Sequence, residues 1–161
     1  MNNEKIVIAI ALIWLGIVSG ILFYNEMLIV NGQEVLLKIV PVDPRDFLRG
    51  DYVSLHYDIN EMPKNSKYYD EYHHFNGFVT LKKEKDGIFV IDEVLETKPK
   101  DQLFLKGEVH GKSIYYNGIN KYFVKEGQGK TLEKSLAQGG FAKISVGKNG
   151  EARIKEIVDK F

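Results

Sequence analysis

The chain has 161 residues, with 22 basic and 22 acidic side chains and no cysteine. That excludes a disulfide framework and any thiolate metal site. A neutral balance also leaves no electrostatic case for nucleic acid, which needs clustered positive charge.

Ile6 to Phe23 carries no charged residue. At about 1.5 Å per helical residue this stretch spans roughly 27 Å, close to the hydrocarbon thickness of a bilayer. It predicts a membrane anchor over residues 6–24, with Tyr24 where an interfacial aromatic belongs. A cleaved signal peptide is the competing reading. Val18-Ser19-Gly20 is a passable cleavage site, but Ile21-Leu22-Phe23 prolong the apolar run beyond it. Lys5 and the free amine precede the span, partly offset by Glu4, and Glu26 follows it. The positive-inside rule then places residues 1–5 in the cytosol and the remainder on the outer side of the cell membrane. The lipid bilayer is therefore the first expected partner. Gly16 and Gly20 form a small-xxx-small pattern suited to helix pairing, although glycine is common in membrane helices.

Residues 33–161 read as one extracytoplasmic β domain. After the turn signal Asn31-Gly32, Gln33–Val42 is a short apolar run. Tyr52–Ile59 alternates, with Val53, Leu55, Tyr57 and Ile59 on one face. Residues 60–74 have no period and predict a long loop. Phe78–Lys83 and Ile88–Leu95 flank Asp86-Gly87, and Leu103–His110 and Ser113–Tyr116 flank Gly111-Lys112; both are hairpin patterns. Lys121–Val124 reads as a short strand. Thr131–Gln138 predicts the one soluble helix, with Leu132 and Leu136 four apart. Phe141–Val146 and Glu151–Val158 flank Asn149-Gly150, the strongest hairpin turn in the chain.

Residues 77–95 and 140–158 align without a gap, with Gly77/Gly140, Phe78/Phe141, Ile91/Ile154 and Glu93/Glu156 identical. Upstream, Pro44-Arg45-Asp46 and Gly50-Asp51 mirror Pro99-Lys100-Asp101 and Gly107-Glu108. The domain is thus expected to hold two related halves, about 41–95 and 97–158, each too small to bury its own apolar face. The competing account is that turns and alternation make any two hairpins alike. The expected fold is mainly β, a duplicated β-sandwich or barrel with one short helix, plus a single N-terminal transmembrane helix.

The densest polar block is VDPRDFLRGDYVSLHY, residues 42–57. Its run Gly50-Asp51-Tyr52, then Leu55 and Tyr57, resembles the signature of the GDYXXLXY protein family at every fixed position. VPVDPRDFLRG upstream and GINKYFVKEGQGKTLE downstream are also similar, so the resemblance covers essentially the whole chain. One departure is Lys125, where the family's YFVPEG has proline. The family comprises largely uncharacterised bacterial membrane proteins, often encoded beside multi-span membrane proteins. The resemblance therefore implies a polytopic membrane partner and no particular chemistry.

Asp43, Asp46 and Asp51 can pair with Arg45 and Arg49, two of only three arginines in the chain. Arginine's planar fork suits carboxylates and phosphates. The block can be an internal salt-bridge network, a charged groove for a partner, or a carboxylate pair for hydrolysis. Tyr52 and Tyr57 belong to the same binding candidate. Tyr68, Tyr69 and Tyr72 form an aromatic loop that either folds over the core or makes a contact surface. Ser54 and His56 sit two apart on a strand, without nucleophile–base geometry or a third member. His73 and His74 with Asp70 and Glu71 are a weak metal candidate, because adjacent histidines point apart. The expected role is therefore a membrane-anchored accessory module without metal or cofactor, engaging a larger membrane protein or envelope component. Enzymatic activity is left open. The alternative is an extracytoplasmic, peptidase-like hydrolase using residues 43–58, for which Ser54 is the nearby nucleophile and no lysine base can be placed.

Overall fold

The computed structural model describes residues 3–41, 52–69, 73–125, 127, 129–136 and 138–158. Helix α1 (Asn3–Asn31) is followed by strands β1 (Gln33–Ile39) and β2 (Tyr52–Ser54) and a 3-10 turn (Asp58–Asn60). Next come β3 (His74–Lys83), β4 (Phe89–Leu95), β5 (Phe104–His110), β6 (Ser113–Tyr115) and β7 (Lys121–Phe123). Helix α2 (Gly129–Leu136) and strands β8 (Gly140–Val146) and β9 (Ala152–Val158) complete the chain order. The architecture is mainly β behind one long N-terminal helix, as the sequence predicts.

The strands form two sheets, ordered β4-β3-β5-β6 and β1-β8-β9, and a ribbon β2-β7. Residues 55–62 link them. The bridge Ile39↔Tyr57 attaches this segment to the edge of β1, and Glu61↔Ser113 attaches it to the edge of β6. The sheets curl around one shared core containing Val35, Leu37, Val53, Val79, Leu105, Ile114 and Ile144. Alternation explains this burial. On β5 the pattern from Leu105 onward is strictly in–out, so one face excludes water and the other meets it.

The hairpins β3–β4 and β8–β9 have matching registers. The first pairs Phe78↔Leu95, Val79↔Val94 and Leu81↔Ile91. The second pairs Phe141↔Val158, Ala142↔Ile157 and Ile144↔Ile154, with its irregularity at the same step. The turns match as well. Glu84 N donates to Ile88 O and Gly87 N to Glu84 O; Gly147 N donates to Glu151 O and Gly150 N to Gly147 O. Asp86 Oδ1 accepts from Ile88 N, and Asn149 Oδ1 accepts from Glu151 N, each at 3.1 Å. These short side chains stabilise the turn, and the following glycine supplies its positive φ. Each hairpin adds to a strand from elsewhere in the chain: β3 to β5 and β8 to β1.

Helix α1 runs eight residues past Phe23 and ends at Gly32, whose N–H closes on Leu28 O. Its last turns pack on the β8–β9 hairpin. Leu28 is buried, and its carbonyl also accepts from Ser145 Oγ at 2.7 Å. Tyr24 OH donates to Glu151 Oε2 and accepts from Asn149 Nδ2, while Arg153 Nε donates to Asn25 Oδ1. The N-terminal part of α1 is exposed throughout and is long and apolar enough to cross a membrane.

Candidate functional site

Asp43, Arg45, Asp46, Arg49 and Asp51 lie outside the described residues, as do Asp70, Glu71 and Tyr72. The described part of the signature segment divides by face. Val53, Leu55, Tyr57 and Ile59 are buried, whereas Tyr52, Ser54 and His56 are half-buried and Asp58 is exposed. The predicted alternation holds, but regular pairing is shorter than Tyr52–Ile59. After Ser54 the chain makes only the bridge at Tyr57 and then enters the 3-10 turn.

Tyr57 is half of a reciprocal clamp. Its hydroxyl donates to Ile119 O at 2.8 Å, and the Tyr116 hydroxyl donates to Ile59 O at 2.7 Å. Asn60 completes the joint, accepting from Tyr57 N and donating to Ile114 O, both at 2.6 Å. Leu55 N donates to Asn120 O. Burial pushes both phenols well above the usual tyrosine range, because a phenolate there would lose its hydration. Tyr116, Ile119 and Asn60 were not singled out from sequence. The signal for them is the similarity of Tyr57-Asp58-Ile59-Asn60 to Tyr116-Asn117-Gly118-Ile119-Asn120.

Tyr52 faces outward on the β2–β7 ribbon. Its ring centroid is 5.8 Å from that of Phe123, its cross-strand partner. Lys121 Nζ lies 5.0 Å from the Tyr52 ring centroid. Phe123 is 73% exposed; beyond α1, it and Tyr115 are the exposed large apolar side chains among the described residues. Ser54 pairs across the ribbon with Lys121, a juxtaposition invisible in the sequence.

The aromatic loop divides as well. Tyr68 is buried, 4.7 Å from the Phe75 ring, so it belongs to the core. Tyr69 is half-buried, with Lys112 Nζ 5.4 Å from its ring centroid. His74 stacks edge-on with His110 at 4.2 Å, and His73 Nδ1 is buried without a hydrogen-bond partner among the described residues. No cluster of three metal-capable side chains occurs among the described residues.

A cleft of about 590 Å³ is lined by Phe78, Lys106, Glu108, Tyr115, Glu151 and Arg153, among others. Its charged groups all have partners: Lys106 an ion pair with Glu151, Glu108 a hydrogen bond from the neutral Asn117, and Arg153 hydrogen bonds to the neutral Asn25 side chain and Ala152 carbonyl. The cleft therefore holds one neutralised pair and two hydrogen-bonded charges of opposite sign.

Residues 14–157 match the family model described as GDYXXLXY protein. Neither curated proteins nor solved structures gave a significant match.

Proposed function

The chain belongs to the GDYXXLXY protein family, and on that premise we propose that it is a membrane-anchored binding module. It would be an accessory subunit engaging a larger membrane protein or an envelope component. In this reading residues 1–5 are cytosolic, α1 crosses the cell membrane and the β domain lies outside. The observation that carries the binding role is the aromatic face of the β2–β7 ribbon. Signature Tyr52 and exposed Phe123 form a contiguous aromatic surface, and aromatic side chains are enriched at interface centres; the Lys121 ammonium lies at its side. A Cβ built on Gly16 or Gly20 meets nothing within 4 Å, so that helix face is open for pairing with another span. Purification of the full chain in mild detergent should bring down a stoichiometric membrane protein. Phe123→Ser should release it and Tyr115→Ser should not. Wild-type protein eluting alone would count against the role.

The Ser54–Lys121 pairing favours a second reading, a Ser/Lys hydrolase. Lysine serves as a base when burial strips its proton, and Lys121 is exposed and turned over Tyr52. Labelling by a fluorophosphonate that Ser54→Ala and Lys121→Met both abolish would support hydrolysis over binding.

We further propose that the domain descends from a duplication. The matched registers and turns of β3–β4 and β8–β9 support it, as do the crossed tyrosine bonds. The registers favour β1 as the counterpart of β5: each adds to the other copy's hairpin and, on its opposite edge, meets the segment bearing Tyr57 or Tyr116. The copies would then begin at β1 and β5, rather than at the blocks around Pro44 and Pro99.

A further inference from the structure

The joint between α1 and the sheet fixes which end of the domain faces the bilayer. Tyr24 directly follows the apolar run, and its hydroxyl is held by Asn149 and Glu151. The β8–β9 turn therefore sits at headgroup depth whenever α1 spans the membrane. Beside that turn lies a groove of about 920 Å³. It is bounded by the end of α1 (Asn31, Gly32), the β4–β5 connection (Lys98 to Phe104) and the β8–β9 turn (Val146 to Lys148).

The charges of this groove are lopsided. Lys98, Lys100 and Lys148 line it, against a single acid, Asp101. All three lysines are exposed, and none has an ion pair among the described residues. Lys98 Nζ rests 5.6 Å from the Phe104 ring centroid, which leaves its charge available. Asp101 adopts φ 51°, the one positive φ outside glycine among the described residues. Aspartate tolerates this conformation better than most residues, and it bends the Lys-Pro-Lys loop where it meets the groove. Glu26, the acid nearest on α1, lies two residues from Leu28 and so on a different helix face from the docked one.

We propose that this groove binds the phosphate headgroups of anionic phospholipids in the leaflet that α1 leaves, seating the domain on the membrane in one orientation. The proposal rests on the anchored reading above. Unpaired lysines within one Debye length of an anionic surface are drawn to it, and salt weakens the attraction. Depth favours lipid over an acidic protein segment, because the turn that carries Lys148 is the one that holds Tyr24, and the end of α1 that bounds the groove lies only about 10 Å farther out, near one Debye length.

The test uses the full chain in nanodiscs of phosphatidylcholine, with or without phosphatidylglycerol, read by hydrogen–deuterium exchange. Backbone amides of residues 97–103 and 146–149 should exchange several-fold more slowly in anionic discs. The difference should disappear at raised salt and in the variant Lys98→Gln/Lys100→Gln/Lys148→Gln, and return when the same positions carry Arg. Chain that co-elutes with both discs but shows no lipid-dependent slowing overturns the groove and leaves the anchor standing. Chain that fails to enter either disc overturns the anchor and the proposal with it. Equal slowing by inorganic phosphate in neutral discs would assign a free phosphate instead. Equal slowing by a polyglutamate peptide would assign an acidic protein. Slowing that persists in the Gln variant would place the lipid elsewhere; each of these results overturns the assignment.

Discussion

The Tyr57 and Tyr116 hydroxyls each satisfy a carbonyl of the neighbouring segment, across the joint between residues 55–62 and 112–120. Tyr57→Phe or Tyr116→Phe removes one donor and leaves a buried carbonyl without its partner, a cost of about 1 to 3 kcal/mol. Urea unfolding of the two single variants and the double variant measures this, and contact through shared neighbours should make the pair non-additive. The pH dependence has a definite sign. Folding holds both phenols protonated above the ordinary tyrosine value. Their contribution is present below about pH 10, where unfolded tyrosine is neutral, and declines as pH rises beyond it, because the unfolded chain then releases protons that the folded chain keeps. Of the nine tyrosines, these two should gain phenolate absorbance only as the protein unfolds; early ionisation of all nine would contradict their burial. The inward face of Val53, Leu55, Tyr57 and Ile59 was legible because alternation is local. The receiving carbonyls were not, since they come from distant segments, and whether Tyr68 served core or contact could not be read from an aperiodic loop.

The two closing hairpins show how one turn sequence meets different surroundings. Gly87 and Gly150 both have positive φ, so alanine at either is strained, by about 1 to 2 kcal/mol. A Cβ on Gly87 would meet only the end of the Lys83 side chain, at 3.8 Å. A Cβ on Gly150 would strike the Phe104 ring, and such overpacking adds about 1 to 3 kcal/mol. Gly150→Ala should therefore destabilise clearly more than Gly87→Ala in denaturant titrations, and equal losses would mean that the β8–β9 turn does not seat on β5. Asp-Gly and Asn-Gly announced both turns in the sequence. Nothing local announced that Gly150 O accepts from Lys106 N, or that the same turn receives Tyr24. The anchor was equally half-legible. Its apolar run gave the span over residues 6–24, while the continuation to Asn31 depends on Leu28 and Ser145 meeting across the fold.

At the scale of the molecule, strand exchange decides whether the halves are separable. β1 pairs with β8, β5 pairs with β3, and the tyrosine clamp crosses between the same two halves. Hydrophobic contacts follow the same division, because the core is one cluster drawn from both sides. A half on its own would expose the face that the other covers and leave its first strand without the hairpin that hydrogen-bonds it, so its burial could not offset the backbone entropy of ordering it. Cutting the chain in the β4–β5 connection, between Glu96 and Leu103, removes one covalent link and none of these contacts. A protease site inserted there should give a nicked protein that stays together on size exclusion in detergent, keeps its β-sheet circular dichroism, and separates only in denaturant. Outside α1, which detergent keeps helical on its own, each fragment isolated from denaturant should lack β structure alone and should regain the native spectrum when mixed with the other. Halves that part after nicking and fold independently would show that the exchanged strands are incidental to the core, and would remove the physical reason for two similar hairpins to persist in one chain.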